Sequence, residues 1–185
     1  MNAAVIVETR NFDMHPIILR HGRYLPSDWQ IIHKKPTKIN NLSDYNTIMT
    51  SVDFWKSLLH YKRVLIFQHD SGLLRNGIEE FMDYDYVGAP WTFQLRGGNG
   101  GLSLRNPSIM LKTIETIQYN EAIHGNEDVY FSNHIERVGG KLAPRHVCFR
   151  FSCETIYREG TLGYHAIDKH LPAELVNKIL TQYER

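Results

Sequence analysis

Residues 63–72 read RVLIFQHDSG. A continuous apolar run bounded by a basic residue and a polar turn is the pattern of a strand buried on both faces, so Arg63 to Gln68 is expected at the centre of a sheet. His69, Asp70, Ser71 and Gly72 then lie at its carboxyl end, where open α/β sheets bind ligands. Upstream, Ala3 to Val7 reads as a buried strand, Pro16 to Tyr24 as a helix with proline in its first turn, and Gln30 to His33 as another strand. Between these and the central run, Tyr45, Ile48, Met49, Val52, Trp55 and Leu59 have the spacing of one core-facing helix, Ser43 to Tyr61, capped by Ser43.

Downstream, Asn76 to Met82 reads as a short helix, Tyr84 to Val87 as an extended segment stopping before Pro90, and Leu102 to Leu104 as a strand. Helices are expected over Ser108 to Tyr119, Asn126 to Arg137 and Ala173 to Tyr183, the last entered through Pro172. Lys141 to Ala143 and Val147 to Ser152 complete the predicted strands. Strands alternating with helices argue for the α/β class.

A chain of 185 residues fits one domain, residues 1–185, and no internal repeat or low-complexity segment divides it. Its 42% hydrophobic and 22% charged residues are those of a globular protein, and no apolar run approaches the ~20 residues of a membrane helix. Met1 to Val7 is followed by Glu8 and Arg10 rather than a small-residue cleavage site, so a signal peptide is not expected. Cys148 and Cys153 would point to opposite faces of a shared strand, which disfavours a disulfide and implies a reduced, cytoplasmic setting. A net charge of +1 supplies no general attraction to nucleic acid, and the Lys34, Lys35 and Lys38 cluster reads as a solvated face. Nothing in the sequence specifies an oligomeric state.

The glycine-dense run 97–101 is the second informative stretch, with Gly97, Gly98, Gly100 and Gly101 around Asn99. Residues without large side chains are placed where backbone must bend sharply or approach something closely. Asn99-Gly100 is equally a signal for a hairpin turn. Three places at strand ends hold candidate ligand-binding groups: Glu8-Thr9-Arg10, Gln68-His69-Asp70-Ser71, and the glycine run. An aspartate, an imidazole and a hydroxyl at the second can gather a hard divalent cation with phosphate oxygens. Glu127 and Asp128 open a predicted helix, where the dipole favours negative charge, and His165 stands near the C-terminus.

In order, YNTIMTSVDFW (45–55), VLIFQHDSGLL (64–74), YDYVGAPW (84–91), GNGGLSLR (98–105), NEDVYFS (126–132), KLAPRHV (141–147), FRFSCE (149–154) and LGYH (162–165) resemble the successive motifs of the DUF5672 family. The N-terminal AVIVETR fits only in character. That family is grouped with the GT-A nucleotide-diphospho-sugar glycosyltransferases. The resemblance therefore implies a single GT-A-like, Rossmann-like domain with a mixed central sheet flanked by helices. It also implies transfer of a sugar from a nucleotide-diphospho-sugar donor to a glycan, protein or small-molecule acceptor hydroxyl, with inversion.

GT-A enzymes carry an Asp-x-Asp motif that binds a divalent metal, Mn²⁺ or Mg²⁺; here the corresponding positions read Gln68-His69-Asp70. The resemblance thus makes Asp70 the metal ligand, with His165 similar to the late histidine that completes such a site. Glu8, Thr9, Arg10, Gln68, Asn99, Gly100 and Gly101 are implied to bind the donor. Glu127 or Asp128 would act as catalytic base, Asp128 preferred, while Arg105 would face the diphosphate or solvent and Trp91 the acceptor or Pro90. Two other readings stay open: a non-catalytic sugar-nucleotide binding module with a degenerate metal site, and a metal-dependent phosphoesterase built on His69, Asp70 and His165.

Overall fold

Alternation along the strands builds two apolar cores, one on each face of a five-stranded sheet. The computed structural model describes residues 1–182 apart from Phe12 and Thr37. Strand β1 (Asn2–Val7) leads through helix α1 (His15–Gly22) to β2 (Trp29–Lys34), and α2 (Leu42–Met49) and α3 (Val52–Lys56) lead on to β3 (Val64–Phe67). Next come β4 (Ser71–Leu73), a 3-10 turn at Ile78–Phe81, β5 (Tyr86–Ala89), β6 (Asn99–Arg105) and α4 (Pro107–Thr116). The chain continues through α5 (Glu121–His124), α6 (Glu127–His134), a 3-10 turn at Ile135–Val138 and α7 (Arg145–Phe151). It closes with β7 (Ser152–Cys153), β8 (Gly163–His165), α8 (Ile167–His170) and α9 (Ala173–Gln182).

The main sheet has the order β2-β1-β3-β6-β5. Strands β2, β1 and β3 are parallel, while β6 runs antiparallel to both neighbours, so the sheet is mixed. Ala3, Val5, Val64 and Ile66 face α2, α3, α4 and α6, whereas Ala4, Ile6, Leu65 and Phe67 face α1, the first 3-10 turn and α7. Both faces being covered is why the central strands are apolar throughout. The chain leaves β1 for β2 on one side and returns to β3 on the other, with α1 on one face and α2 and α3 on the opposite one. The carboxyl ends of β1 and β3 are therefore a topological switch point, where a crevice opens. A second sheet, β4-β8-β7, covers that end of the main sheet and packs a third apolar cluster against α9. Among the described residues, no helix is long and apolar enough to cross a membrane.

Several expected elements differ. The single helix Ser43 to Tyr61 is two: α2 is capped by Asn41 rather than Ser43, and the chain breaks at Thr50-Ser51, where Ser51 caps α3 by accepting from the Phe54 N–H. Asn76 to Met82 narrows to a 3-10 turn, and Asn126 to Arg137 becomes α6 followed by another such turn. Lys141 to Ala143 contributes one parallel bridge, Leu142 to Tyr86, instead of a strand. Most of Val147 to Ser152 is helix α7, which buries Val147, Cys148 and Phe151. Its aromatic and β-branched residues mimic a strand, but Pro144 and the short apolar run suit a buried helix equally well, and packing decides. Cys148 and Cys153 consequently share no strand; each is a buried free thiol. The closing helix runs as expected to Gln182, and Tyr183 lies outside the described residues.

The glycine run makes no tight hairpin. Asn99 and Gly100 are the first residues of β6, reached from β5 by a longer connection. The register shifts between Gly88 and Ala89, where the strands come so close that a Cβ on Gly88 would overlap the Asn99 carbonyl oxygen. Bulk is excluded there because backbone meets backbone.

Candidate functional site

Three adjoining cavities of about 300, 190 and 240 Å³ run from the carboxyl ends of β1 and β3 to the segment between β5 and β6 and the start of α6. The first two share Leu42, Tyr45 and Gln68, and the last two share Asn99, Asn126 and Asp128, so together they form one groove. A larger cavity of about 370 Å³ lies apart, between α1, β4 and α9, and no carboxylate, imidazole or thiol lines it. The chemistry-bearing side chains converge on the groove.

Its first end is formed by the residues after β1. The buried Glu8 carboxylate accepts from the Thr9 and Arg10 N–H groups at 2.9 and 2.8 Å and holds the Arg10 guanidinium in a two-point ion pair at 3.0 and 2.7 Å. Burial alone would raise the Glu8 pKa, but Arg10 outweighs it and the carboxyl is held below its ordinary value. Arg10 Nη2 also lies 3.0 Å from His69 Nδ1, bridging the ends of β1 and β3. Thr9 does different work, its hydroxyl accepting from the Ile39 N–H at 3.2 Å. Glu8, Arg10, Gln68 and His69 line the cavity, together with the apolar Val7 and Ile39.

Asp70 and His165, nearly a hundred residues apart in sequence, meet in space. Strand β4 pairs with β8, which brings His165 Nε2 to 3.4 Å from Asp70 Oδ1 and 3.0 Å from Gln68 Oε1. His165 Nδ1 is 3.0 Å from Glu154, and Lys169 Nζ donates to Asp70 Oδ2 at 2.6 Å. Burial pushes the His165 pKa down, but the facing carboxylates Asp70 and Glu154 overcome this and raise it to about 9. Burial likewise pushes Asp70 up, yet His165 and Lys169 hold its carboxyl far below the usual range.

No cluster of three or more His, Cys, Asp or Glu is arranged to hold a metal among the described residues. Asp70 and His165 could nevertheless hold a cation that also binds diphosphate once His165, protonated at neutral pH by its raised pKa, gives up its proton. Neighbouring ligands of an octahedral cation at about 2.1 Å stand about 3 Å apart. Asp70 Oδ1 and His165 Nε2 are close to that, and Asp70 Oδ1 is buried without a hydrogen bond.

Gly101 is what lets His165 sit there. A Cβ at this position would overlap the face of the imidazole, against three of its ring atoms. Gly101→Ala is expected to displace the ring and return its pKa from about 9 toward 6.5, read by NMR titration of the imidazole; an unchanged titration would contradict the packing. The peptide groups of the glycine run are already used inside the protein. Gly100 N–H donates to Asp128 at 3.0 Å, Gly101 N–H donates to Asn99 Oδ1 at 2.7 Å, and Gly101 C=O accepts from Gln68 N–H at 2.9 Å. Asn99, Gly100 and Gly101 thus form a wall of the middle cavity.

The acidic pair divides into two roles. Glu127 is locked in a buried, two-point ion pair with Arg105, at 2.6 and 2.8 Å. Arg105 does not face solvent: it is fully buried, with Tyr86, Phe131 and Trp55 rings around its guanidinium. Asp128 instead lines both the middle and the last cavity. Burial, reinforced by the neighbouring Glu127 charge, raises its pKa to about 6. Asn46 on α2 seats the start of α6, accepting from the Glu127 N–H at 3.2 Å. A buried carboxylate with that pKa can take a proton near neutral pH.

Asn46, Glu154 and Lys169 carry no sequence signal as site residues, since each acts through a partner remote in the chain. LGYH and the FRFSCE run contained two of the interacting groups, but their convergence needed the β4-β8-β7 pairing.

Among solved structures, the crystal structure of A197 from STIV is similar to the chain at 12% identity and a TM-score of 0.48, covering 73% of this chain and 78% of that one. No protein with a curated description matches the sequence. The family DUF5672, described as a protein of unknown function, matches residues 28–171, which is more than half of the chain and spans everything from β2 to α8. The chain belongs to the DUF5672 family.

Proposed function

We propose that the groove binds a nucleotide-diphospho-sugar and transfers its sugar, with inversion, to an acceptor hydroxyl, as a GT-A-like glycosyltransferase. The observation that carries this reading is the order of groups along one groove. A partly apolar end at the β1/β3 switch point, polar through the Glu8–Arg10 pair and His69, suits a nucleotide; His165 lines the middle cavity with Asp70 against it, and the raised-pKa Asp128 borders both the middle and the last cavity. In this reading Glu8, Arg10 and Gln68 hold the nucleoside end, and Thr9 ties their loop to the chain at Ile39. Asn99, Gly100 and Gly101 form the wall along the donor sugar.

Asp70 and His165 would hold a divalent cation, Mn²⁺ or Mg²⁺, which when bound neutralises charge on the leaving diphosphate. Lys169, already on Asp70, adds a positive charge beside it. Asp128 takes the acceptor proton, and Glu127 positions it from the Arg105 pair. We take the reaction to be cytoplasmic, in keeping with the two buried free thiols.

Incubation with UDP-, GDP- and dTDP-sugars, with Mn²⁺ and after chelation, tests the proposal. At least one donor is expected to bind, to raise the melting temperature in a cation-dependent way, and to be hydrolysed or transferred. Absence of all three with every donor would sink it. The Lys169 contact to Asp70 favours one other outcome, a sugar-nucleotide binding module without turnover, in which the ammonium substitutes for the cation. Donor binding that survives chelation, with no turnover, identifies that case.

A further inference from the structure

The last cavity of the groove differs in chemistry from the first. It is lined by Trp91, Phe93, Asn126, Asp128, Glu154 and His170, among others, and no lysine or arginine lines it. Trp91 is buried, and Phe93 stacks on it with ring centroids 5.2 Å apart and planes 27° from parallel. Phe93 itself is 72% exposed, although large aromatic side chains are normally covered. An aromatic ring fixed from behind by a second ring and open in front is a platform for a flat, partly apolar partner. Around it are groups that hydrogen-bond hydroxyls: the Asp128 and Glu154 carboxylates, the Asn126 amide, His170, and the Thr155 hydroxyl. Thr155 Oγ1 is buried and has no hydrogen-bond partner among the described residues.

Resting on the transferase reading above, we propose that this cavity is the acceptor subsite and that the acceptor is a neutral carbohydrate, one pyranose unit of which stacks on Phe93. A pyranose has a C–H face that matches the ring and an equatorial belt of hydroxyls that matches the carboxylates, amide and hydroxyl. The carboxylates disfavour an acidic acceptor, whereas in the transferase reading the donor diphosphate lies by Asp70, His165 and Lys169, none of which lines this cavity. Asp128 borders both the middle cavity and this one, so an acceptor held here presents a hydroxyl to the carboxylate from the side opposite the donor diphosphate.

In the transfer, the acceptor oxygen forms a bond to the anomeric carbon as the bond from that carbon to the diphosphate oxygen breaks. The electron pair leaves with the nucleoside diphosphate, and the hydroxyl proton passes to Asp128.

Binding of methyl hexopyranosides and their disaccharides, followed by saturation-transfer NMR and by Trp fluorescence, tests this on the full chain with no donor present. At least one neutral sugar is expected to bind, and Phe93→Ala, a surface change that leaves the core intact, is expected to weaken it about tenfold, the loss of one stacked ring. Thr155→Val is expected to weaken it as well. The methyl uronates are expected to bind more weakly than their neutral counterparts. Binding of no sugar, an equal affinity in Phe93→Ala, a preference for the uronate, or binding of an aromatic peptide instead would each overturn the proposal. Nucleotide binding is measured separately on the same samples. Its retention in Phe93→Ala isolates the acceptor inference, and its absence in the unaltered protein defeats the donor reading whatever the sugars do.

Discussion

Arg105→Met is expected to lower the free energy of unfolding by about 3–5 kcal/mol, the cost of leaving one charge of a buried pair without its partner. The Arg105 side chain is wholly inaccessible and its guanidinium meets both Glu127 oxygens, so methionine would strand a carboxylate beside Asp128. The rings of Trp55, Tyr86 and Phe131 around the vacated guanidinium site offer only their faces in place of the lost partner. Urea denaturation provides the measurement. A second substitution, Glu127→Leu in the same chain, is expected to recover most of the loss, because two apolar side chains can fill the space that the pair occupies. A loss below about 1 kcal/mol for Arg105→Met alone would show that the pair is not the tie between β6 and α6 that its geometry implies.

Asp128→Asn is expected to reduce sugar transfer about 10²–10⁴-fold, the range for removing a general base, while leaving donor affinity nearly unchanged. Steady-state kinetics beside equilibrium nucleotide binding separates the two quantities. If the proposed transfer occurs, the unaltered protein should gain rate as pH rises through about 6, because only the deprotonated carboxylate accepts the proton.

Stability should move the opposite way. The folded-state pKa is raised above the unfolded value, so the folded protein binds the proton more tightly; this group contributes most at low pH, and its contribution is lost as pH rises from about 4 through about 6. The charged form then costs up to about 3 kcal/mol. Asp128→Asn removes that charge, so the variant is expected to outlast the unaltered protein in denaturant at pH 8 and to lose its advantage below pH 4. Equal stabilities at both pH values would show that Asp128 is not strained by burial. A pH-independent rate would remove it as the base.

The strands at the centre of the sheet were legible because their signal is local. VLIF and AVIV must be apolar at every position when both faces are covered, whatever the rest of the chain does. Boundaries were less secure where local chemistry competes. Thr50-Ser51 looks like part of a periodic helix until the Ser51 hydroxyl takes the Phe54 N–H and starts a new one. Val147 to Ser152 has strand-forming residues in a segment that tertiary packing winds into α7. Asp70 and Asp128 were singled out by type and by their place at element ends, and His165 by its likeness to the family's late histidine, readings that name candidates but not their partners.

The sequence by itself determined an α/β chain with a buried central strand, a polar run at its carboxyl end and a glycine stretch that is either a hairpin turn or a place of close approach. Only the tertiary structure decided what does the approaching: the His165 ring fills the space over Gly101, and Glu127, Arg105 and Asp128 crowd Gly100. It also divided the two adjacent carboxylates, joining Glu127 to Arg105 across 22 residues and turning Asp128 to the groove. The physical reason is that periodicity and propensity act over a few neighbouring residues, whereas an ion pair or a pKa depends on which charges and how little water surround a group, and that is set by chain segments far apart in sequence.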